Sequence, residues 1–132
     1  MGIDYIGAAE LIDYPEQFPG TSLLDWRTWD PNSRYWVVKL LKDSFVPGDR
    51  MVATQCANPQ VTARAFLGSG GGRRILLVNR RAPKTGVTIE GAAGGNMRFL
   101  DQTMPGGQAA SAQPASDRIN LNGYAVAVVT RR

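Results

Sequence analysis

From Met51 onward the chain is a series of short β-rich runs, separated by Gly, Pro and Asn. This punctuation constrains the fold more than any other feature, because it excludes long helices and suits an antiparallel sandwich or barrel. The runs predict strands over Met51–Cys56, Val61–Leu67, Arg74–Asn79, Gly86–Glu90, Met97–Asp101, Arg118–Leu121 and Tyr124–Thr130. In the second run Val61, Ala63, Ala65 and Leu67 alternate with Thr62, Arg64 and Phe66, which makes one face apolar and the other mixed. "RILLVN" is continuously apolar, as a central strand should be.

The connections carry signals of their own. "GSGGG", Gly68–Gly72, lacks the lysine of a phosphate-binding loop and no helix follows it, so it reads as a hairpin loop. Gln102–Ser116, rich in small residues, Gly and Pro, reads as a mobile loop. Asn122-Gly123 is a hairpin signal, but the run before it is short and the run after it is long. A bend carrying the chain between two sheets is the expectation there.

Ahead of these strands stands "NSRYWVVKLLKDSF", residues 32–45, the one stretch that reads as an amphipathic helix. Asp30-Pro31 looks like its N-cap followed by proline at the first helical position. At about 100° per residue, Trp36, Val37, Val38, Leu40, Leu41 and Phe45 cover an arc of roughly 200°. A helix on the outside of one sheet needs a narrower stripe, so two neighbours are expected. Trp36, Val37, Leu40 and Leu41 are the candidate interface residues. The fold class is therefore all-β: an antiparallel β-sandwich over residues 46–132, preceded by one amphipathic α-helix and an irregular N-terminal segment within residues 1–45, together one compact unit.

Composition sets limits on function. A length of 132 residues suits one domain, and no apolar run is long enough to cross a bilayer, so a soluble chain without a membrane partner is expected. Met1–Glu10 lacks a basic segment followed by an apolar core, so no secretory signal is read and the compartment stays open. The chain has one cysteine, Cys56, and no histidine. These absences exclude an intrachain disulfide and a Cys-rich metal site, and remove the commonest general base; no cofactor or metal is expected. Cys56 reads as a small buried hydrophobe. The net charge is +4, with pairs at Arg73-Arg74, Arg80-Arg81 and Arg131-Arg132. Each pair flanks an apolar run without interleaved aromatics, which marks solvated strand ends rather than a nucleic-acid surface.

Three separated segments carry a resemblance. "YPEQFPGTSLLDWRTWDPNSRYWVVKLLKDSFVPGDRMVAT" (Tyr14–Thr54), "ILLVNRR" (Ile75–Arg81) and "INLNGYAVAVV" (Ile119–Val129) together resemble the C-terminal end of barrel-type glycoside hydrolases, especially family 39. The resemblance implies that Leu23–Trp26 is the last strand of a (β/α)8 barrel, Pro31–Phe45 its last helix, and Met51 onward a sandwich packed on it. Trp29 departs from it by standing where a small turn residue is expected, and Gly123 by replacing a proline before the last strand. The family's acid/base and nucleophile lie on earlier barrel strands, which this sequence does not include.

Glycoside hydrolysis needs two carboxyl groups held across the scissile bond. Most of the eleven acids here sit at caps or turns, so catalysis by this chain is not expected. Asp25 and Trp26 are the candidate substrate-binding residues, since barrel chemistry occurs at the C-terminal ends of strands and an indole can stack on a sugar. Tyr14 and Gln17 could overhang a cleft in a larger enzyme. The expected role is a non-catalytic accessory domain whose partner is a catalytic barrel, or a second copy bound through the helix face. The alternatives are a stand-alone carbohydrate- or protein-binding module, and a self-contained enzyme.

Overall fold

The computed structural model describes residues 11–12, 22–104 and 107–131. Along the described chain come α1 (Ser33–Ser44), β1 (Arg50–Val52), β2 (Val61–Leu67), β3 (Arg73–Asn79), β4 (Thr85–Thr88), β5 (Asn96–Leu100), β6 (Ala110–Ala112), β7 (Arg118–Leu121) and β8 (Val126–Arg131). Six strands form one antiparallel sheet in the order β1-β2-β3-β8-β5-β6, while β4 and β7 pair as a second sheet. Among the described residues this is the expected all-β sandwich, preceded by one helix and, over residues 22–32, an irregular stretch.

The centre of the large sheet is the β3–β8 ladder, in which Ile75 lies opposite Val129, Leu76 opposite Val128 and Leu77 opposite Ala127. Cross-strand partners point to the same face and successive residues to opposite faces. Ile75, Leu77, Ala127 and Val129 therefore share an inner face, and Leu76, Val78, Val126 and Val128 an outer one. The inner face packs with Ile119 and Leu121 of β7 into the main core, joined by Val61 and Ala63 of β2. On the outer face, α1 packs on β5 and β8, and there Leu40 is completely buried, as Leu100 and Val128 nearly are.

Several boundaries differ from the sequence expectations, each for a local reason. The helix is capped by Asn32, not Asp30: the Asn32 carboxamide oxygen accepts the Arg34 and Tyr35 N–H groups, satisfying donors that the first turn leaves free. Pro31 lies outside the helix in an isolated bridge with Leu24. The first strand stops at Val52, because the Thr54 hydroxyl donates to the Val52 carbonyl and accepts the Ala65 N–H at 2.9 Å, displacing backbone pairing. Within Gln102–Ser116, expected to be a loop, Ala110–Ala112 forms the edge strand β6 against Met97–Phe99. The final strand begins at Val126, since Tyr124 adopts a left-handed backbone (φ 51°) that no strand contains.

Two expectations hold in detail. Gly68 and Gly72 close the β2–β3 hairpin through a 2.8 Å backbone hydrogen bond. The Asn122-Gly123 bend carries the chain from β7 in the small sheet to β8 in the large one.

Leu40 and Val38, two residues apart on one helix, differ in burial (0% against 45% exposed). Leu40→Ala is expected to destabilise the chain by about 2 to 5 kcal/mol and Val38→Ala by less than about 0.5 kcal/mol in urea unfolding. Equal effects would show that α1 is not seated on the sheet through Leu40.

Candidate functional site

The outer layer is built from the N-cap upward. Asn32 donates its amide to the Ser22 carbonyl at 2.8 Å and its backbone N–H to Leu23 O, so one residue both starts α1 and ties it to the preceding segment. Farther along, Asp43 accepts from Lys39 one turn earlier (2.9 Å) and from Arg98 of β5 (3.4 Å). Hydrogen bonding from Lys39 is the main reason the Asp43 carboxyl lies below its ordinary value, and Arg98 adds to it. At the C-terminal end the Phe45 ring meets Phe66 of β2 at 4.5 Å between centroids. The following turn is closed by Asp49, which accepts from the Val46 N–H and from Arg74 of β3 at 2.7 Å. Helix α1 is thus held to β5 and β8, and the cap and turn that follow it to β2 and β3.

Of the candidate interface residues, Leu40 is consumed by this packing, while Trp36, Val37 and Leu41 are half-buried. Beyond them, Val38, Val46 and Met51 are exposed. Met51 lies opposite Phe66 in the β1–β2 register and so shares the outer face with the Phe45–Phe66 contact. The arrangement leaves apolar surface along the helix and the β1 edge, where a further layer could pack.

Asp25 and Trp26 occupy a turn instead of a barrel strand. Within Leu23–Trp26 only Leu24 is paired, in single bridges to Ile12 and Pro31. The Asp25 carboxylate accepts the Arg27 and Thr28 N–H groups at 2.8 and 3.0 Å. Those bonds, Thr28 first, hold its carboxyl below the ordinary value, as suits a turn-closing carboxylate. Trp26 is partly exposed with the Arg27 guanidinium 5.0 Å from its ring centre. Trp29 is 63% exposed in a left-handed backbone (φ 63°), the conformation a small turn residue takes with least strain. Tyr14 and Gln17 fall outside the described residues.

Cys56 is exposed rather than buried, its thiol 3.5 Å from the Asn58 carbonyl oxygen. Its strand was cut short at Val52, so it lies on a connecting segment. Among the described residues no group of three or more His, Cys, Asp or Glu could hold a metal ion, and no helix is long and apolar enough to cross a membrane.

Sequence reasoning missed the polar corner where the two sheets exchange the chain. Buried Asn79 donates to the carbonyls of Pro83 and Asn122 and accepts the Arg81 N–H. Asn122 in turn donates to Asp101, whose other oxygen accepts the Thr103 hydroxyl and N–H. Gly123 fits inside this corner because a Cβ there would collide with the Ala82 carbonyl oxygen and the Gln102 side chain. The Asn-Gly pair was visible in sequence, but its partners lie too far along the chain for local reasoning to find.

A family model described as D-apionate lactonase, C-terminal immunoglobulin-like domain, matches residues 59–129, from just before β2 into β8. The chain belongs to this family. Its β-sandwich is of this C-terminal, immunoglobulin-like type. Among solved structures, it is similar to the "Catalytic domain of GH30 xylanase C from Talaromyces cellulolyticus", with a TM-score of 0.68 and 12% identity over 85% of this chain and 27% of that one. A GH30 endoxylanase from Clostridium papyrosolvens C71 gives a TM-score of 0.63 and 15% identity over 85% of this chain and 30% of that one. The chain thus spans less than a third of either enzyme, and at these identities the likeness shows the fold. No curated protein matches the chain. These matches support the coarser part of the resemblance, a C-terminal antiparallel sandwich; they are to a lactonase family and to GH30 enzymes, not to family 39.

The corner generates a pH-dependent prediction. Burial pushes the Asp101 carboxyl up, but hydrogen bonds from Thr103 and Asn122 more than offset this, leaving it below the ordinary 3.8. A carboxyl depressed on folding contributes stability above its unfolded value and loses it as pH falls through the folded value. Asp101→Asn is expected to lower the urea midpoint at pH 7, with the gap to the wild type narrowing below about pH 4. A gap that stays constant to about pH 2 would assign the residue's role to shape instead of charge.

Proposed function

We propose that this chain is the distal accessory domain of a larger sugar-acting enzyme, and that it packs on and steadies a catalytic (β/α)8 barrel through α1 and the β1 edge. Residues 1–45 would supply the end of the barrel layer and residues 46–132 the sandwich, with the partner domain acting on a glycoside or a sugar lactone. The observation that carries this reading is exposed apolar surface on the side of α1 away from the sheet, in the turn after it and at the β1 edge. Val38, Val46 and Met51 are exposed next to half-buried Trp36, Val37 and Leu41. Exposed large apolar residues at a helix face and a sheet edge are positions where a further layer can pack. The family membership and the short coverage of the GH30 enzymes favour a domain that works within a longer protein.

The turn holding Asp25 and Trp26 has a peripheral part in this proposal. Trp26 and Trp29 present indole surface on one short loop, where a barrel-bound sugar could meet it. Asp25 holds the turn together.

The test joins the chain to the protein encoded by the upstream reading frame. That frame is expected to encode a barrel with two carboxylates at its strand ends. In the joined protein, Val38→Asp with Met51→Asp is expected to lower the barrel's Tm by several degrees, since a charge buried without a partner is strongly unfavourable. In the isolated chain the same pair should change stability by less than about 1 kcal/mol, because both residues are exposed there. An upstream frame without a barrel, or a barrel indifferent to the double substitution, would overturn the proposal. A dimer of the isolated chain abolished by it would place a second copy on this surface.

A further inference from the structure

The inner face of the large sheet is wider than the sheet that covers it. Six strands face two, and on the β4 side the excess forms a trough. Its first part, about 450 Å³, has Ala63, Ile75 and Leu77 as its floor, β4 as one wall and residues 54–58 as the other. Its second part, about 350 Å³, shares Ile75 and continues over Ala65, Leu67 and Val52 toward Arg73 and Arg131.

One wall of this trough is an unpaired strand edge. The Ile89 N–H donates to Asp117 O on the β7 side. By alternation Thr85 and Val87 also face β7, while the N–H and C=O groups of Gly86 and Thr88 face the trough. Asn58 donates to the Gly86 carbonyl at 3.3 Å, occupying one site at the start of that edge. The Thr88 groups and the Gly86 N–H stay open to an incoming backbone.

The far end is positively charged. Arg73 and Arg131 lie directly opposite each other in the β3–β8 register, an unfavourable placement for like charges. Neither belongs to an ion pair among the described residues, and the buried Arg131 Nε has no hydrogen-bond partner. The neighbouring Asp117 carboxylate accepts the Ala93 N–H. That bond, others from the Gly91 and Ala92 N–H groups and the Arg131 charge hold its carboxyl below the ordinary value, so the Arg131 charge is shared with it and Arg73 supplies the remainder.

We propose that the trough binds one extended strand of another polypeptide, apolar at alternate residues and acidic at the end beside Arg73 and Arg131. The strand would add to the β4 edge, lay its apolar side chains on Ala63, Ile75 and Ala65, and set a carboxylate between the two guanidinium groups. A carbohydrate is a poor fit, because the floor is aliphatic and no aromatic platform lines the first part. A second copy fits poorly as well. Antiparallel pairing of β4 with its own copy puts both large sheets on the same side, where each already extends beyond β4 under the trough.

The probe is acetyl-Asp-Val-Thr-Val-Thr-Val-Asp-amide, titrated into the isotope-labelled chain, with a counterpart ending in Lys at both ends. The acidic probe is expected to shift the Gly86, Thr88 and Ile75 amides and to bind about fivefold tighter than the basic one. Arg73→Glu, at an exposed position, should reverse that preference. Thr88→Pro should abolish binding without unfolding the chain, because the Thr88 N–H faces away from β7. The proposal is overturned by shifts lying elsewhere, by equal binding of the two probes, or by an unchanged preference in Arg73→Glu. It is also overturned if sedimentation shows a dimer in which the Gly86 and Thr88 amides are already protected.

Discussion

The β3–β8 ladder is apolar on both faces, so the large sheet needs a cover on each side. Leu77, Ala127 and Val129 face inward to β4 and β7, while Val128 faces outward toward the layer that α1 provides. Neither cover is as wide as the sheet it lies on. A single helix leaves apolar residues beside it on the outer face, and a two-stranded sheet leaves a trough on the inner face. Both candidate interaction surfaces therefore follow from one mismatch between a broad, two-sided sheet and its narrow partners. The hydrophobic effect makes such remainders costly to leave in water.

Polar groups set the geometry that apolar burial alone leaves loose. The Asn79–Asn122–Asp101 chain fixes where the backbone leaves one sheet for the other, and each member has several partners. Asn32 does the equivalent for the helix, and Asp49–Arg74 for the passage from helix to sheet. Networks of this kind specify one arrangement among many that would bury similar area, provided that their members are satisfied.

The pattern of residues made some of this legible and concealed the rest. Alternation in Val61–Leu67 and the apolar run Ile75–Val78 identified β2 and the central β3, because each is a property of a few adjacent residues. The same holds for the helix and for the breadth of its apolar arc, which pointed to its candidate interface. The helix cap was misplaced because Asp30-Pro31 and Asn32 are rival signals, and Asn32 prevails by also reaching Ser22. Ala110–Ala112 escaped notice because alanine and serine carry little strand preference, and pairing with β5 decides their state. The expected barrel strand around Asp25 is absent, because its carboxylate is engaged by the backbone groups of its own turn. The trough could not be read at all, since it depends on how many strands each sheet contains.

The position of β8 has a consequence for how the chain is made. It is the last described strand in sequence, yet it lies between β3 and β5, joining the two halves of the large sheet. During synthesis β1, β2 and β3 can pair early from nearby residues, but the other edge of β3 has no neighbouring strand until the segment around Val126–Val129 emerges. Pairing over such sequence distances is slow, and a nascent sheet waiting for its centre is open to wrong partners. A ribosome that stalls before Val126 would release not a shortened domain but two unjoined half-sheets.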